Sequence, residues 1–339
     1  MAYTTIDDPS AYFKVQLYTG DGNASKAITF DDTDTNMQPD FVWIKRRDDA
    51  DSHFIYDSVR FDGSNAYWLQ ANNNNAQGSD RPLTAFGSDG FTIGSNNSAL
   101  NGNTNTYVAW CWKEDTTAGF DIVTYTGASG DQTFAHSLGV APEWYLVKER
   151  GNANSWVVNH IGLANQTNAY LLLNTTDAAG TDSWFNSTAP SSSVVHANDG
   201  DSPTNRNGGT YVMYLWRSVK GFSKFGSYIG NGNADGTFVY LGFRPAFVIV
   251  KRTDSSTNGN WVMHDNKRAN SFNEIDARLF PNTNDAESSN GNGKIDFLSN
   301  GFKYRTSSDG QNGSGNEMIY MAFAESPFVN SNGIPTNAR

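Results

Sequence analysis

The sequence predicts an all-β protein: three tandem copies of one β-sandwich or jelly-roll unit of roughly 105 residues, with little helix. Three observations predict it. One block of residues returns twice at a fixed interval. Apolar residues fall in short runs bounded by turn-forming strings. No stretch keeps a 3.6-residue apolar period between helix caps.

The repeated block is QPDFVWIKRR at 38–47, APEWYLVKER at 141–150 and RPAFVIVKRT at 244–253. Pro39, Pro142 and Pro245 lie 103 residues apart (142−39 and 245−142), and Lys45, Lys148 and Lys251 keep the same interval. Two coincidences at one spacing, inside one apolar pattern, mark internal duplication. The flanks agree. FKVQLYTGDGN (13–23), FDIVTYTGASG (120–130) and FGSYIGNGNADG (225–236) precede the block; HFIYD (53–57), SWVVN (155–159) and NWVMH (260–264) follow it. AYWLQ, AYLLL and ARLFP come next, starting at Ala66, Ala169 and Ala277, and aromatic strands starting at Tyr107, Tyr211 and Tyr320 close the copies. The first and third copies share SDGF and SNGF, ending at Phe91 and Phe302, where the second has SVVHAND, so its penultimate strand is expected to be altered. The resulting boundaries are an N-terminal arm at 1–12, units at 13–115, 119–218 and 221–326, and a C-terminal tail at 327–339. The arm and tail are polar; they read as frayed ends or docking arms.

Within a unit, FVWIK, WYLVK and FVIVK read as strands buried on both faces, because β-branched and aromatic residues run on without polar alternation. Proline at the strand start costs no ladder bond. The polar strings RRDDADS, RGNANS and TDSSTNG supply the Gly, Asn and Asp of a hairpin turn into the next strand. Trp43, Trp110, Trp112, Trp144, Trp156, Trp216, Phe247, Trp261 and Phe323 recur at like places and read as core.

Composition narrows the function. The chain has 339 residues with 13% aromatics, which excludes disorder, and no apolar run of spanning length. Its start, MAYTTIDDPS, lacks a hydrophobic signal segment. A net charge of −11 leaves little for a phosphate-binding face, and Lys45-Arg46-Arg47, followed by Asp48, Asp49 and Asp51, reads as a solvated strand end. The single cysteine, Cys111, excludes intrachain disulfides.

No catalytic residue, metal site or cofactor is expected. None of Glu114, Glu143, Glu149, Glu274, Glu287, Glu317 and Glu325 recurs across all three copies, so no paired carboxylates for glycoside hydrolysis stand out. His53, His136, His160, His196 and His264 lack metal-ligand spacing; His160 and His264, 104 residues apart, read as strand-end histidines in near register. Asp32, Asp34 and Asn36 start like a calcium loop but lack its downstream Gly and Glu, and read as a turn. Gly20-Asp21-Gly22 is a hairpin rather than a phosphate loop, since no Lys-Ser/Thr follows.

The combined motifs, above all GFSKFGSYIGNGNADGTFVYLGFRPAFVIVKRTD (221–254) with AYLLLNTTDA and YMAFAESPF, resemble a repeat common in tail-fibre and other virion proteins of bacteriophages, especially marine ones. The resemblance covers Phe13 to Phe328 and implies a concanavalin-like or jelly-roll sandwich displayed on the particle, made in the host cytoplasm, with no transferable catalytic residue. The expected role is a receptor-binding surface module that mediates host adsorption through cell-surface glycans. Its partners would be other virion proteins, the host glycan and further copies of itself. Capsid decoration or tail assembly is the alternative, and polysaccharide depolymerisation the third. Glycan binding would use rings beside polar loops: Tyr67, next to Trp68 and Asn72–Asn75, and Trp184 with Phe185 in SWFNST. Trp68, placed opposite Leu171 and Leu279 in the repeat, reads as core.

Overall fold

The structure, a computed structural model, describes residues 3–31, 35–198, 200, 203–268 and 272–336. Strands hold 42% of the chain and helix 2%. The helical turns are a 3-10 turn at Pro9–Ala11 and α1 at Asp309–Asn312. Asp32 and Asp34 of the acidic turn lie outside the described residues.

The first unit contributes β1 (Phe13–Thr19), β2 (Lys26–Thr29), β3 (Phe41–Arg46), β4 (Phe54–Asp57), β5 (Ala66–Gln70), β6 (Gly78–Gly87), β7 (Gly90–Ile93) and β8 (Thr106–Trp112). The second contributes β9 (Phe120–Thr126), β10 (Gln132–Ala135), β11 (Trp144–Glu149), β12 (Val157–His160), β13 (Ala169–Leu172), β14 (Gly180–Thr181), β15 (Val194–Ala197) and β16 (Thr210–Trp216). The third contributes β17 (Ser223–Ile229), β18 (Phe238–Tyr240), β19 (Phe243–Arg252), β20 (Val262–Asp265), β21 (Ile295–Leu298), β22 (Gly301–Tyr304) and β23 (Glu317–Pro327). All pairings are antiparallel, and one order of four strands recurs: β1-β8-β3-β4, β9-β16-β11-β12 and β17-β23-β19-β20. A smaller pairing recurs too, β2 with β7, β10 with β15, β18 with β22. β15 therefore stands where the sequence loses its SxGF match, but without the second neighbour that β6 gives β7 and β21 gives β22.

The apolar strands explain the packing. On β3, Phe41 and Trp43 face a core shared by all three units, while Val42 and Ile44 face a core of the first unit alone. Trp144 and Leu146 of β11, and Phe247 and Ile249 of β19, enter the same shared core; Tyr145 and Val147, and Val248 and Val250, enter separate ones. Each repeated strand is buried on both sides because a sandwich lies behind it and the other two units lie in front. Trp112 meets Trp216 at 6.3 Å and Phe247 at 5.7 Å, so rings from the three units touch directly. Burying each such ring stabilises the fold by about 1.5–3 kcal/mol.

Register corrects several sequence alignments. Phe41, Trp144 and Phe247 pair with Asp57, His160 and Asp265, so His53, Trp156 and Trp261 share a position. His264 matches Asn159 rather than His160. Trp112, Trp216 and Phe323 pair with Phe13, Phe120 and Ser223, so Tyr107 matches Met318 rather than Tyr320, and Phe225 matches Val15.

The described parts of the arm and tail pack onto the fold. Thr4 and Ile6 are buried, and Ile6 joins the shared core. Tyr3 donates its hydroxyl to the Gly242 carbonyl at 3.0 Å, and the Ser331 amide donates to Asp7 at 2.6 Å, tying arm to tail.

Candidate functional site

Three seams join the units, and corresponding residues build each one. The amides of Gln77, Ala179 and Glu287 donate to the carbonyls of Arg150, Thr253 and Arg47, each at 2.8 Å, so the first unit meets the second, the second the third, and the third the first. The indole of Trp156 donates to the Gln70 carbonyl at 2.8 Å and that of Trp261 to Leu172 at 3.0 Å. His53 takes this place at the closing seam, its ring beside the Phe280 backbone. Lys148 Nζ reaches Asn74 O at 3.3 Å, and Lys251 Nζ reaches Thr176 O at 3.2 Å. Lys45 is fully buried and bonds the Arg46 carbonyl at 2.5 Å, so it is not part of a solvated strand end. Burial pushes all three ammonium groups down to about 8.

At the opposite strand ends the seams diverge in chemistry. Between the first and second units, Asp40, Glu114 and Asp121 converge: the Glu114 amide donates to Asp40 at 2.9 Å, and the Ile122 amide donates to the Glu114 carboxylate at 3.0 Å. Burial, with Asp121 and Asp40 beside it, pushes the Glu114 carboxyl up to about 7. The corresponding residues between the second and third units are Glu143, Ser218 and Lys224; between the third and first they are Ala246, Glu325 and Lys14. A groove of about 220 Å³ lies at this last seam. Among the described residues no group of three or more His, Cys, Asp or Glu is placed to hold a metal.

The seam between the second and third units opens into the largest of these clefts, about 610 Å³. Glu143, Ile161 and Ser218 form one wall, Lys224 and Tyr240 the other, and Tyr3 and Lys220 the rim. Ser218 donates its hydroxyl to Glu143. Lys224 Nζ donates to the Tyr240 carbonyl at 2.6 Å and lies 5.4 Å from the Tyr240 ring; burial lowers its pKa. Lys220 Nζ sits 4.6 Å from the Tyr3 ring, and the Tyr3 and Tyr240 hydroxyls are 3.2 Å apart. The chain turns from β18 into β19 at Gly242, whose φ of +85° suits glycine; a Cβ there would stand 2.9 Å from the Tyr3 hydroxyl.

β18 departs from its counterparts. Phe238 is 44% exposed and Tyr240 50%, flanking the buried Val239. At the matching positions β2 carries Ala27 and Thr29 around Ile28, and β10 carries Thr133 and Ala135 around Phe134. An edge strand that presents two rings outward in one unit of three is specialised there.

None of the rings expected from sequence lines this cleft. Phe185 is buried against Tyr145, ring centroids 5.0 Å apart, and so offers no surface to a ligand. Trp184 is half-buried and packs on Tyr170 at 4.0 Å. Tyr67 lies half-buried on β5 of the first unit, its side chain toward Asp62. Trp68, half-buried, donates to Asp80 at 2.7 Å; its counterparts are Tyr170 and Arg278, since Leu69 pairs as Leu171 and Leu279 do. The readable signal for the cleft was TFVY itself, which carries Phe238 and Tyr240 where KAIT carries Ala27 and Thr29 and QTFA carries Thr133 and Ala135.

A family model described as a domain of unknown function, DUF7483, matches residues 8–327. No curated protein matches the chain.

Proposed function

The chain belongs to the DUF7483 family, and we propose that it is a glycan-binding surface module of a bacteriophage particle that works by adhesion and not by catalysis. The virion setting, with other tail or capsid proteins as neighbours, rests on the motif resemblance. One observation carries the binding reading: among the described residues β18 alone of the three matching strands turns two rings outward, and Tyr240 borders the seam cleft of about 610 Å³. Saccharides need a flat apolar face for their C–H groups and nearby acceptors and donors for their hydroxyls. Tyr240 supplies the face, and Glu143 and Ser218 supply the polar groups.

The test is retention of the protein on immobilised bacterial surface polysaccharides. Wild type is expected to bind and Tyr240→Ala to lose most binding with its thermal unfolding unchanged, since that ring is half exposed. Trp184→Ala is expected to lower the unfolding temperature and spare binding. Equal retention of Tyr240→Ala and wild type would overturn the assignment of the cleft. Release of reducing ends from the polysaccharide would replace adhesion by depolymerisation.

A further inference from the structure

The geometry points to an acidic saccharide, one carrying a carboxylate or phosphate substituent, as the ligand class of the cleft between the second and third units; this rests on the glycan reading above. The cleft places two ammonium groups, Lys220 and Lys224, against one carboxylate, Glu143. That local excess of positive charge stands out in a chain of net charge −11. Several surface cations elsewhere are neutralised by carboxylates: Arg252 by Asp254 at 2.7 Å, Lys303 by Asp235 at 2.6 Å, Lys294 by Glu274 at 2.7 Å. Among the described residues Lys220 and Lys224 pair with rings and a carbonyl instead, Lys220 with Tyr3 and Lys224 with Tyr240.

The arrangement separates two functions across the cleft. Glu143, engaged by the Ser218 hydroxyl, is an acceptor for sugar hydroxyls and repels an anion. The lysines lie on the side of the two tyrosine rings, so a sugar stacked on Tyr240 can direct an acidic substituent toward Lys220 while its hydroxyls face Glu143. Lys224 is desolvated, and an ammonium short of water gains more from an incoming anion than an exposed one does. Among the described residues the other seams lack this combination. The first has three carboxylates where this one has Glu143, Ser218 and Lys224, and the groove of the third has Lys14 and Lys267, but its lining ring, Phe13, is buried.

The test is an array carrying neutral, uronate-bearing and phosphate-bearing bacterial polysaccharides, each acidic polymer beside its carboxyl-reduced or dephosphorylated form. Wild type is expected to retain acidic polymers and release them as salt is raised. Lys220→Gln should weaken binding at least about tenfold, the loss of one charge-assisted contact, and Lys220→Arg should keep it. Lys220 is exposed, so its variants report on binding with folding intact. The uronate and phosphate arms separate the two sources of charge. Neutral forms bound as well as acidic ones, with Lys220→Gln unchanged, would overturn the acidic assignment and leave glycan adhesion standing. No retention of any polymer would sink both.

Discussion

Arg47 and Glu287, 240 residues apart, form a two-pronged ion pair: Nε and Nη2 each lie 3.0 Å from a different carboxylate oxygen. The pair sits at the closing seam, where the Glu287 amide also donates to the Arg47 carbonyl. Both side chains are mostly shielded, and bidentate geometry makes this stronger than an ordinary surface pair. Arg47→Met should therefore cost about 1–3 kcal/mol of unfolding free energy in urea. It should also speed proteolysis at the seam more than elsewhere. A loss below about 0.3 kcal/mol, the level of an exposed pair, would mean that the closing seam does not depend on it.

Farther inside, Asp57 is fully buried and serves two units at once. It accepts from Arg60 Nε at 2.6 Å within its own unit and from the Tyr214 hydroxyl at 2.6 Å across the seam. Asp265 repeats this with Arg268 at 2.6 Å and the Trp110 indole at 2.9 Å. Asp57→Ala leaves the Arg60 guanidinium buried without its carboxylate, so the expected loss is about 3–5 kcal/mol. Tyr214→Phe keeps the ion pair but removes the donor to Asp57 and the acceptor of Arg60 Nη2 at 3.2 Å, for about 1–2 kcal/mol. Equilibrium unfolding of both variants checks the ranking, and a reversed order would refute this division of roles.

These seams also show what the sequence could and could not say. FVWIK, WYLVK and FVIVK were legible as doubly buried strands because their apolar residues run on without alternation, and the 103-residue interval located them in the chain. Matching letters failed where a shared position holds different chemistry. His53 stands with Trp156 and Trp261, yet the Phe after it invites alignment with those tryptophans. A slip of one residue then exchanges the two faces of the strand, and Trp68 falls opposite leucines instead of Tyr170 and Arg278. The cleft was hidden for another reason. Its lining comes from residues as distant as Tyr3 and Tyr240, which only the packing of the arm and of one unit on the next brings together. Trp184 and Phe185 looked available because their loop is polar, but each ring packs against a tyrosine of its own unit.

Glu114 gives the first seam a pH dependence with a defined sign. Burial, with Asp121 and Asp40 beside it, pushes its folded pKa up to about 7, above the ordinary 4.5 of a glutamate. A carboxyl raised in this way holds its proton more tightly when folded, so its contribution is complete below about 4.5 and is lost as pH climbs to about 7. His160 and His264, lowered by burial to about 3, act in the opposite sense and favour the fold as pH rises from about 3 to 6.5. Both histidines are common to wild type and Glu114→Gln, so the difference between the two proteins isolates Glu114. The variant should gain stability relative to wild type between pH 4.5 and 7 and hold the advantage above it. Parallel unfolding curves across that range would show that Glu114 titrates normally.

Lys148 extends the same logic to alkaline pH. Its ammonium is buried and donates to three carbonyls, Glu149 at 2.6 Å, Asn74 at 3.3 Å and Asn152 at 3.4 Å, the Asn74 contact crossing the first seam. Lys148→Met removes a desolvated charge, which helps the fold, but strips those carbonyls of their donor, which harms it. Carbonyls left unpaired in a closed seam dominate, and the expected net loss at neutral pH is about 1–3 kcal/mol. Burial holds the Lys148 pKa at about 8, below the ordinary 10.5, so the folded chain binds fewer protons than the unfolded chain between those values. Stability from this residue therefore rises with pH above 8. The gap between wild type and Lys148→Met should widen from pH 8 to about 10.5, because the other titrating groups are common to both proteins and cancel in the difference. Lys251→Met should reproduce the trend through its bond to Thr176. A gap that stays constant over this window would show that the lysine keeps its ordinary affinity for the proton.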